Sequence, residues 1–487
     1  MIIVDTAPLR KGNPPDDAEA AEAAAQPPPP AYSGYQPAQN YPSTTQIYVI
    51  PAQASRVSTT RRFFKAFLVA ALIWALTGIF VRSFVELVAY SHHRRPYPGA
   101  YQNGPNWEGG HWPPPPRLPM HPHERPVKCV HGPEWTPIGA APGTYPRQFI
   151  ANTQLDLPFD SDTLFLLSRG SLSHGIVRII EDDHVGAGDK VQVSIEVRYY
   201  SQEALSRANV CSLTRGHREN GIGIFTSDHR ENRREQQLQF DVTVRLPSDA
   251  ETLYIPAFET DLKLFAHYLG PLASAYTFGS VLLKTSNFPI DVQSIDAYRA
   301  KISTENAAIR GSFNVSTSLE LATSNAPIEA DVSLYNSQSN HATSLRLATR
   351  NGPIKAALRL YTDSLRSSFK VDATTSNSPL TITNNVSPPD SILRLSAETS
   401  NSPAHVLLAS AYEGTFSVGT SLFSPVVDRN TRKEDPSGRG RERSVNVRNV
   451  RGGVVEGAVS WEPSELPRGG AGEVSLRTSN SPVTLIL

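Results

Sequence analysis

Few residues in this chain combine the type and spacing that chemistry demands. Glu181-Asp182-Asp183-His184, followed by Gly186 and Gly188, offers carboxylates to a hard cation such as calcium. It lacks the alternate-oxygen spacing of an EF-hand loop and reads as an acidic hairpin tip. His92, His93, His111, His121, His123 and His131 gather in one Pro-rich stretch, where Cys129-Val130-His131 is similar to half of a zinc site. A zinc site needs four ligands on an ordered scaffold, so no metal and no cofactor is assigned. Glu329, Asp331 and Asp372 stand singly, whereas a glycan-cleaving site needs paired carboxylates or a metal-bound base. The sequence contains no Gly-x-Ser-x-Gly elbow, zinc-protease helix or phosphate-binding glycine loop. It also has no Trp from 136 to 460 to stack against sugars. No catalytic residue is assigned, and the expectation is a protein that is not an enzyme.

Two sets of residues with covalent chemistry remain. Cys129 and Cys211 are the two cysteines of the chain; they can pair in an oxidising compartment or persist as two buried thiols. Asn314-Val315-Ser316 and Asn385-Val386-Ser387 fit the glycosylation acceptor, although Pro388 weakens the second.

The elements that would position these residues are announced by a repeated phrase, Thr-x-Asn-x-Pro followed by an apolar or small residue. Its asparagines are Asn287, Asn325, Asn351, Asn377, Asn401 and Asn480. Asn325 to Asn401 recur about every 25 residues, a period typical of stacked architectures. Asn tolerates left-handed backbone and turns a chain sharply; the residue before Pro is pushed into extended geometry. The flanks alternate with period two, as in Leu319-Glu320-Leu321-Ala322 and Ile328-Glu329-Ala330-Asp331-Val332. That pattern predicts strand, corner, strand.

Such units cannot bury an apolar face alone, so they must stack. The expected fold is mainly β: a small antiparallel lobe over 147–268, then a β-solenoid-like repeat lobe over 269–487. An antiparallel sandwich with the phrase at alternate hairpins is the alternative. In a solenoid the asparagines lie one above another and exchange amide hydrogen bonds, and Phe313, Phe369 and Phe416 form an internal column. Residues 428–444 are a polar insertion, and the last copy of the phrase caps the stack.

The N-terminal part reads differently. Residues 1–62 are Pro- and Ala-rich and too polar to form a core. Ala66 to Val81 carries no charge over sixteen residues, so residues 63–90 are expected to cross a lipid bilayer as one uncleaved helix. Arg56, Arg61, Arg62 and Lys65 precede that span, which leans towards a cytoplasmic N-terminus and an exported C-terminal part, at the plasma membrane or in the secretory pathway. Residues 91–146, dense in Pro, Gly and His, read as a semi-rigid spacer. Lys+Arg 46 balances Asp+Glu 46 for a net charge of +0, so nothing suggests a nucleic-acid partner.

The Thr-Ser-Asn-x-Pro-Ile phrase resembles the Gly/Asn-Pro-Ile repeats of putative-adhesin, β-solenoid-like domains of unknown function. The order of tail, span, a strand like Val242-Thr243-Val244-Arg245-Leu246-Pro247 and then repeats is similar to uncharacterised single-pass membrane proteins of basidiomycete fungi. The likeness covers about residues 145–487. It implies a fold-level family and not an activity, with no catalytic residues to carry over. The span, spacer and repeats together lead to the expectation of a non-enzymatic fungal surface glycoprotein contacting cell-wall glycan or another surface protein. A cytoplasm-facing β scaffold and a glycan-processing β-helix enzyme are the competing expectations. The sequence assigns no oligomeric state.

Overall fold

The computed structural model describes residues 119–487, apart from 142–147, 183–189, 228–235, 338–340, 365–366, 431, 451 and 463–471. All of them belong to one compact unit, Ala100–Leu487. The expected tail over 1–62, the span over 63–90 and the first half of the spacer lie outside the described residues. Among the described residues no helix is long and apolar enough to cross a membrane.

The described chain is mainly β. Its first strands are β1 (Glu124–Val130), β2 (Thr136–Ala140), β3 (Phe149–Pro158), β4 (Thr163–Arg169), β5 (Ser173–Asp182) and β6 (Lys190–Tyr199). A single helical turn and a half, α1 (Gln202–Ser206), leads to β7 (Asn209–Arg215), β8 (Glu219–Phe225), β9 (Leu238–Pro247), β10 (Leu253–Asp261) and β11 (Phe265–Pro271). Then come β12 (Tyr276–Lys284) and two long strands, β13 (Ile290–Ser303) and β14 (Ile309–Ala322). From here each coil has one strand on each of two faces. One face holds β15 (Ile328–Asn336), β17 (Ile354–Thr362), β19 (Leu380–Val386) and β21 (Ala404–Leu407); the other holds β16 (Thr343–Ala348), β18 (Ser368–Thr374) and β20 (Ile392–Glu398).

Successive coils pair parallel and in register: Ile290 with Ile309, Ile309 with Ile328, Ile328 with Ile354, Ile354 with Leu380, and Leu380 with Ala404. These are the residues that follow each corner, and all are at most 1% exposed. One aliphatic column therefore runs inside the stack, each large member contributing roughly 1.5–3 kcal/mol by burial. Parallel pairing of neighbouring copies is not the arrangement of a hairpin sandwich.

The separate antiparallel lobe expected over 147–268 is not what forms. β4 pairs parallel with β8 and β10, and β5 pairs parallel with β9 and β11. β10 and β11 continue in parallel to β12 and β13, so the coil stack starts well before the first copy of the phrase. Only the outer strands are antiparallel: β6 to β9, β3 to β6, β2 to β3, β7 to β8 and β1 to β7. A strictly alternating strand has the same sequence in either pairing, so periodicity could not separate the two.

The spacer expected over 91–146 also ends earlier than its composition suggests, because β1 and β2 lie within it. Val130 and Trp135 are buried, and the Trp135 indole N–H donates to the Ala208 carbonyl at 3.1 Å. Two of the prolines that suggested a spacer, Pro126 and Pro137, sit on strands that among the described residues pair on one side only, where edge strands tolerate them. Pro126 and Pro137 each flank a shift of register, in β1 and β2.

The other end is built out of order. β22 (Gly414–Thr420) and β23 (Val426–Asp428) are followed by the hairpin β24 (Glu442–Val450) and β25 (Val454–Glu462), then by β26 (Gly472–Thr478) and β27 (Val483–Ile486). β26 inserts between β20 and β22, and β27 between β21 and β23. The last copy of the phrase is thus an inner layer, not the cap. The cap is the hairpin, since β25 pairs antiparallel with the free side of β22. Nor is 428–444 simply a protruding loop: Arg441 is buried and binds Glu413 at 2.9 Å and Asp435 at 3.1 Å, over the ring of Trp461. Phe313, Phe369 and Phe416 are all buried but do not form one column. Phe313 faces Val332 on β15, Phe369 faces Leu393 on β20, and Phe416 faces Val474 on β26.

Deleting residues 472–487 removes an inner layer and uncovers strand edges on both sides of the gap. That truncation is expected to lose the cooperative thermal transition and precipitate; a soluble monomer with an unchanged transition temperature would contradict this layer order.

Candidate functional site

The residues singled out by the phrase converge on one corner of the stack. Asn306 donates from its amide nitrogen to the Asn287 amide oxygen at 2.7 Å, and Asn325 donates to Asn306 at the same distance. The series continues through Asn351, Asn377, Asn401 and Asn480, each donating to its predecessor at 2.7 Å. Seven side chains form one unbroken ladder on the exposed surface. An amide carries both a donor and an acceptor, so identical residues can chain in one direction, and such chains polarise one another. The backbone repeats the motif, with Asn325, Asn351 and Asn377 N–H groups bonding carbonyls of the preceding coil.

Two parts of the expectation change here. None of the seven has positive φ; among described non-glycine residues that holds only for Arg218 and Asp390. Asn is therefore used for its amide and not for left-handed backbone. Asn306, in Thr304-Glu305-Asn306-Ala307-Ala308-Ile309, was missed because it lacks the proline and lies 19 residues from its neighbours instead of 26. The surviving signal is Thr-x-Asn two residues apart with Ile at the sixth position.

The threonines form a buried second column beneath the ladder. Thr304 donates to the Ser286 carbonyl at 3.2 Å, Thr323 to Ala307 at 3.2 Å, and Thr375 to Gly352 at 3.1 Å. Each thus satisfies a carbonyl of the coil before it, which is why a hydroxyl is kept inside.

Cys129 and Cys211 are joined in a disulfide that spans 82 residues and links facing positions of β1 and β7. Asn314 and Asn385 both lie on the exposed side of their strands. Of the acidic tip, Glu181 accepts from Ser248 at 2.8 Å and Asp182 lies 3.6 Å from Arg245; Asp183, His184, Gly186 and Gly188 lie outside the described residues. His121 and His123 stack with ring centres 6.0 Å apart, and His131 pairs with Glu134 at 3.1 Å; His92, His93 and His111 lie outside. Among the described residues no three His, Cys, Asp or Glu side chains come together to hold a metal. Glu329 binds Arg310 at 3.2 Å within an in-register row of alternating sign, Asp291-Arg310-Glu329-Lys355. Asp372 pairs with Lys370 at 2.9 Å, and Asp331 stands outward on β15. The structure brings the asparagines together; Glu329 and Asp331 share the outward face of β15 and line one cavity with Arg310 and Lys355, whereas Asp372 lies on β18.

His267 was not anticipated. It occupies the aliphatic column beside Ile290 and is fully buried. Its Nδ1 lies 3.1 Å from the Phe265 carbonyl and must carry the proton, so Nε2 accepts from Thr260 at 2.8 Å. Burial lowers its pKa to about 4, with the Phe265 carbonyl opposing only in part.

No family model matches the chain, and no curated protein matches it. A solved chain similar to part of it is a putative cell adhesion protein from Clostridium sporogenes, at 7% identity over 69% of this chain and 99% of that one, with a TM-score of 0.14. A score this low carries no argument about fold or function.

Two measurements follow from this geometry. Asn351→Ala removes two rungs of the ladder and is expected to cost about 1–2 kcal/mol of unfolding free energy, whereas Asn480→Ala removes one and costs about half as much; denaturant titration checks the ratio. The depressed His267 pKa means that the unfolded chain takes up a proton near pH 6.5 that the folded chain takes up only near pH 4. Stability is therefore fully present above that window and falls through it by as much as about 3 kcal/mol. His267→Gln should abolish that component of the pH dependence of the unfolding midpoint.

Proposed function

We infer that the protein is a non-enzymatic, single-pass membrane protein that presents a β-solenoid body at the cell surface for contact with the cell wall or with neighbouring cells. Residues 63–90 supply the anchor, and the Pro-rich stretch after it holds the body away from the bilayer. The observation that carries the reading is the Cys129–Cys211 disulfide at the first strand after that stretch. Structural disulfides persist in oxidising compartments and are rare in the cytosol, which favours an exported body over a cytoplasmic scaffold. The exposure of Asn314 and Asn385 is compatible with glycosylation on that side. The body itself suits display: a corner ladder, a continuous apolar column and antiparallel ends make a rigid repeat surface with protected edges.

Protease added to intact cells should digest the β body and spare residues 1–62. Glycosidase treatment of the native protein should raise its electrophoretic mobility unless Asn314 and Asn385 are both changed to Gln. Digestion of the N-terminal tail with protection of the β body would overturn this topology.

A further inference from the structure

We propose that the tyrosine-lined groove where the ends of β15 and β17 meet the middle of β13 and β14 binds a neutral, extended polysaccharide lying along the stack. Tyr254, Tyr298, Tyr335 and Tyr361 are 41–51% exposed, unusual for rings on an otherwise polar sheet face. Tyr335 and Tyr361 lie side by side in register on adjacent coils. Tyr254 and Tyr298 form a second pair, with ring centres 6.2 Å apart. Between Tyr298 and the Tyr335/Tyr361 pair lies a cavity of about 390 Å³, its polar lining made by Asp296, Asn314, Ser316 and Ser333.

The groove has a structural origin. β13 and β14 each run without interruption from one face to the other, whereas the next coils divide into separate strands joined by loops. The short coils therefore leave a notch beside the long ones. A shift of register between Ala297 and Arg299, opposite Ser316 and Thr317, sets Tyr298 at its edge, as such irregularities commonly re-aim side chains.

The occupant follows from the chemistry. Aromatic faces pack against the C–H faces of pyranose rings, while carboxylate, amide and hydroxyl groups serve the many hydroxyls around each ring. Neighbouring coils are about 4.8 Å apart, comparable with the rise per sugar of an extended β-linked chain, so Tyr335 and Tyr361 can meet successive sugars. Among the described residues no cationic side chain lines the cavity and Asp296 does, which favours a neutral polysaccharide over an acidic one. Asp296 is held by the Thr277 hydroxyl at 2.9 Å, and the Tyr335 hydroxyl bonds Asp363. Aromatic grooves also dock proline-rich peptides, but those need few directed donors, and here Asp296, Asn314, Ser316 and Ser333 stand beside the rings.

This inference rests on the cell-surface reading and specifies its ligand class. The test is co-sedimentation of the full chain, solubilised in detergent, with insoluble chitin, cellulose and β-1,3-glucan. Asn314 lines the groove and heads a glycosylation acceptor, so the Asn314→Gln form is run in parallel to keep an attached glycan from filling the site. At least one polysaccharide should retain the protein. Tyr335→Ala with Tyr361→Ala should weaken retention at least tenfold, while Tyr268→Ala, an exposed ring outside the groove, should leave it within twofold; matching unfolding midpoints show that the variants are folded. Equal retention of the double variant would overturn the site, as would no retention of either the wild-type or the Asn314→Gln form. Binding of decaproline with no polysaccharide retained would overturn the ligand class. Failed sedimentation leaves protease sidedness untouched, whereas a cytoplasmic β body that still sediments with polysaccharide overturns only the surface reading.

Discussion

The constraint on which the rest depends is translational register between coils. Each inner side-chain amide must donate to the coil before it and accept from the coil after it, through six bonds of 2.7 Å that join seven asparagines. This holds only if every corner is a copy of the last, shifted by one strand spacing. Given that register, the other columns follow: the threonine hydroxyls reach the carbonyls behind them, and the residues after each corner fall onto one aliphatic line. Stability is then shared along the axis through nearest-neighbour contacts. The exposed ladder specifies alignment more than it contributes free energy, since each exposed hydrogen bond replaces one with water.

Variation in coil length is absorbed away from that corner. The asparagines are separated by 19, 19, 26, 26, 24 and then 79 residues, yet every rung has the same length. In the coils of 24 and 26 residues the surplus leaves the stack at the opposite edge as loops, whereas the 79 residues before Asn480 hold the outer layer β22–β23 and the capping hairpin. Tyrosines and small polar residues gather at that edge, which joins constancy of fold at one corner to variety of surface at the other.

The ends answer the aggregation hazard that any open stack of parallel strands creates. At both ends antiparallel strands cover the parallel ones, each with a buried tryptophan: Trp135 bonds the Ala208 carbonyl, and Trp461 bonds Ser410 at 3.0 Å beneath Arg441 and Arg443. At both ends the chain also leaves a gap and fills it later. β8 and β9 come between β4/β5 and β7/β6, and β26 and β27 come between β20/β21 and β22/β23. The outer layers are thereby tied into the stack by segments on both sides of them in sequence.

The sequence by itself determined the repeat, the strands that flank it and the asparagine row, because short-range rules of turn chemistry and period-two burial act within a few residues. It also exposed Cys129 and Cys211 as candidates without deciding their pairing. Asn306 escaped because its corner keeps the amide but not the proline, and His267 escaped because a lone histidine in an apolar run does not reveal its partners. Only the tertiary structure decided which strands are neighbours: that the stack is already parallel before the repeats, beneath its antiparallel outer strands, that the last copy lies inside, and that Tyr254, Tyr298, Tyr335 and Tyr361 share one edge. The physical reason is that strand pairing is made between backbones far apart in the chain, and alternation of side chains is the same whichever neighbour, and whichever direction, is chosen.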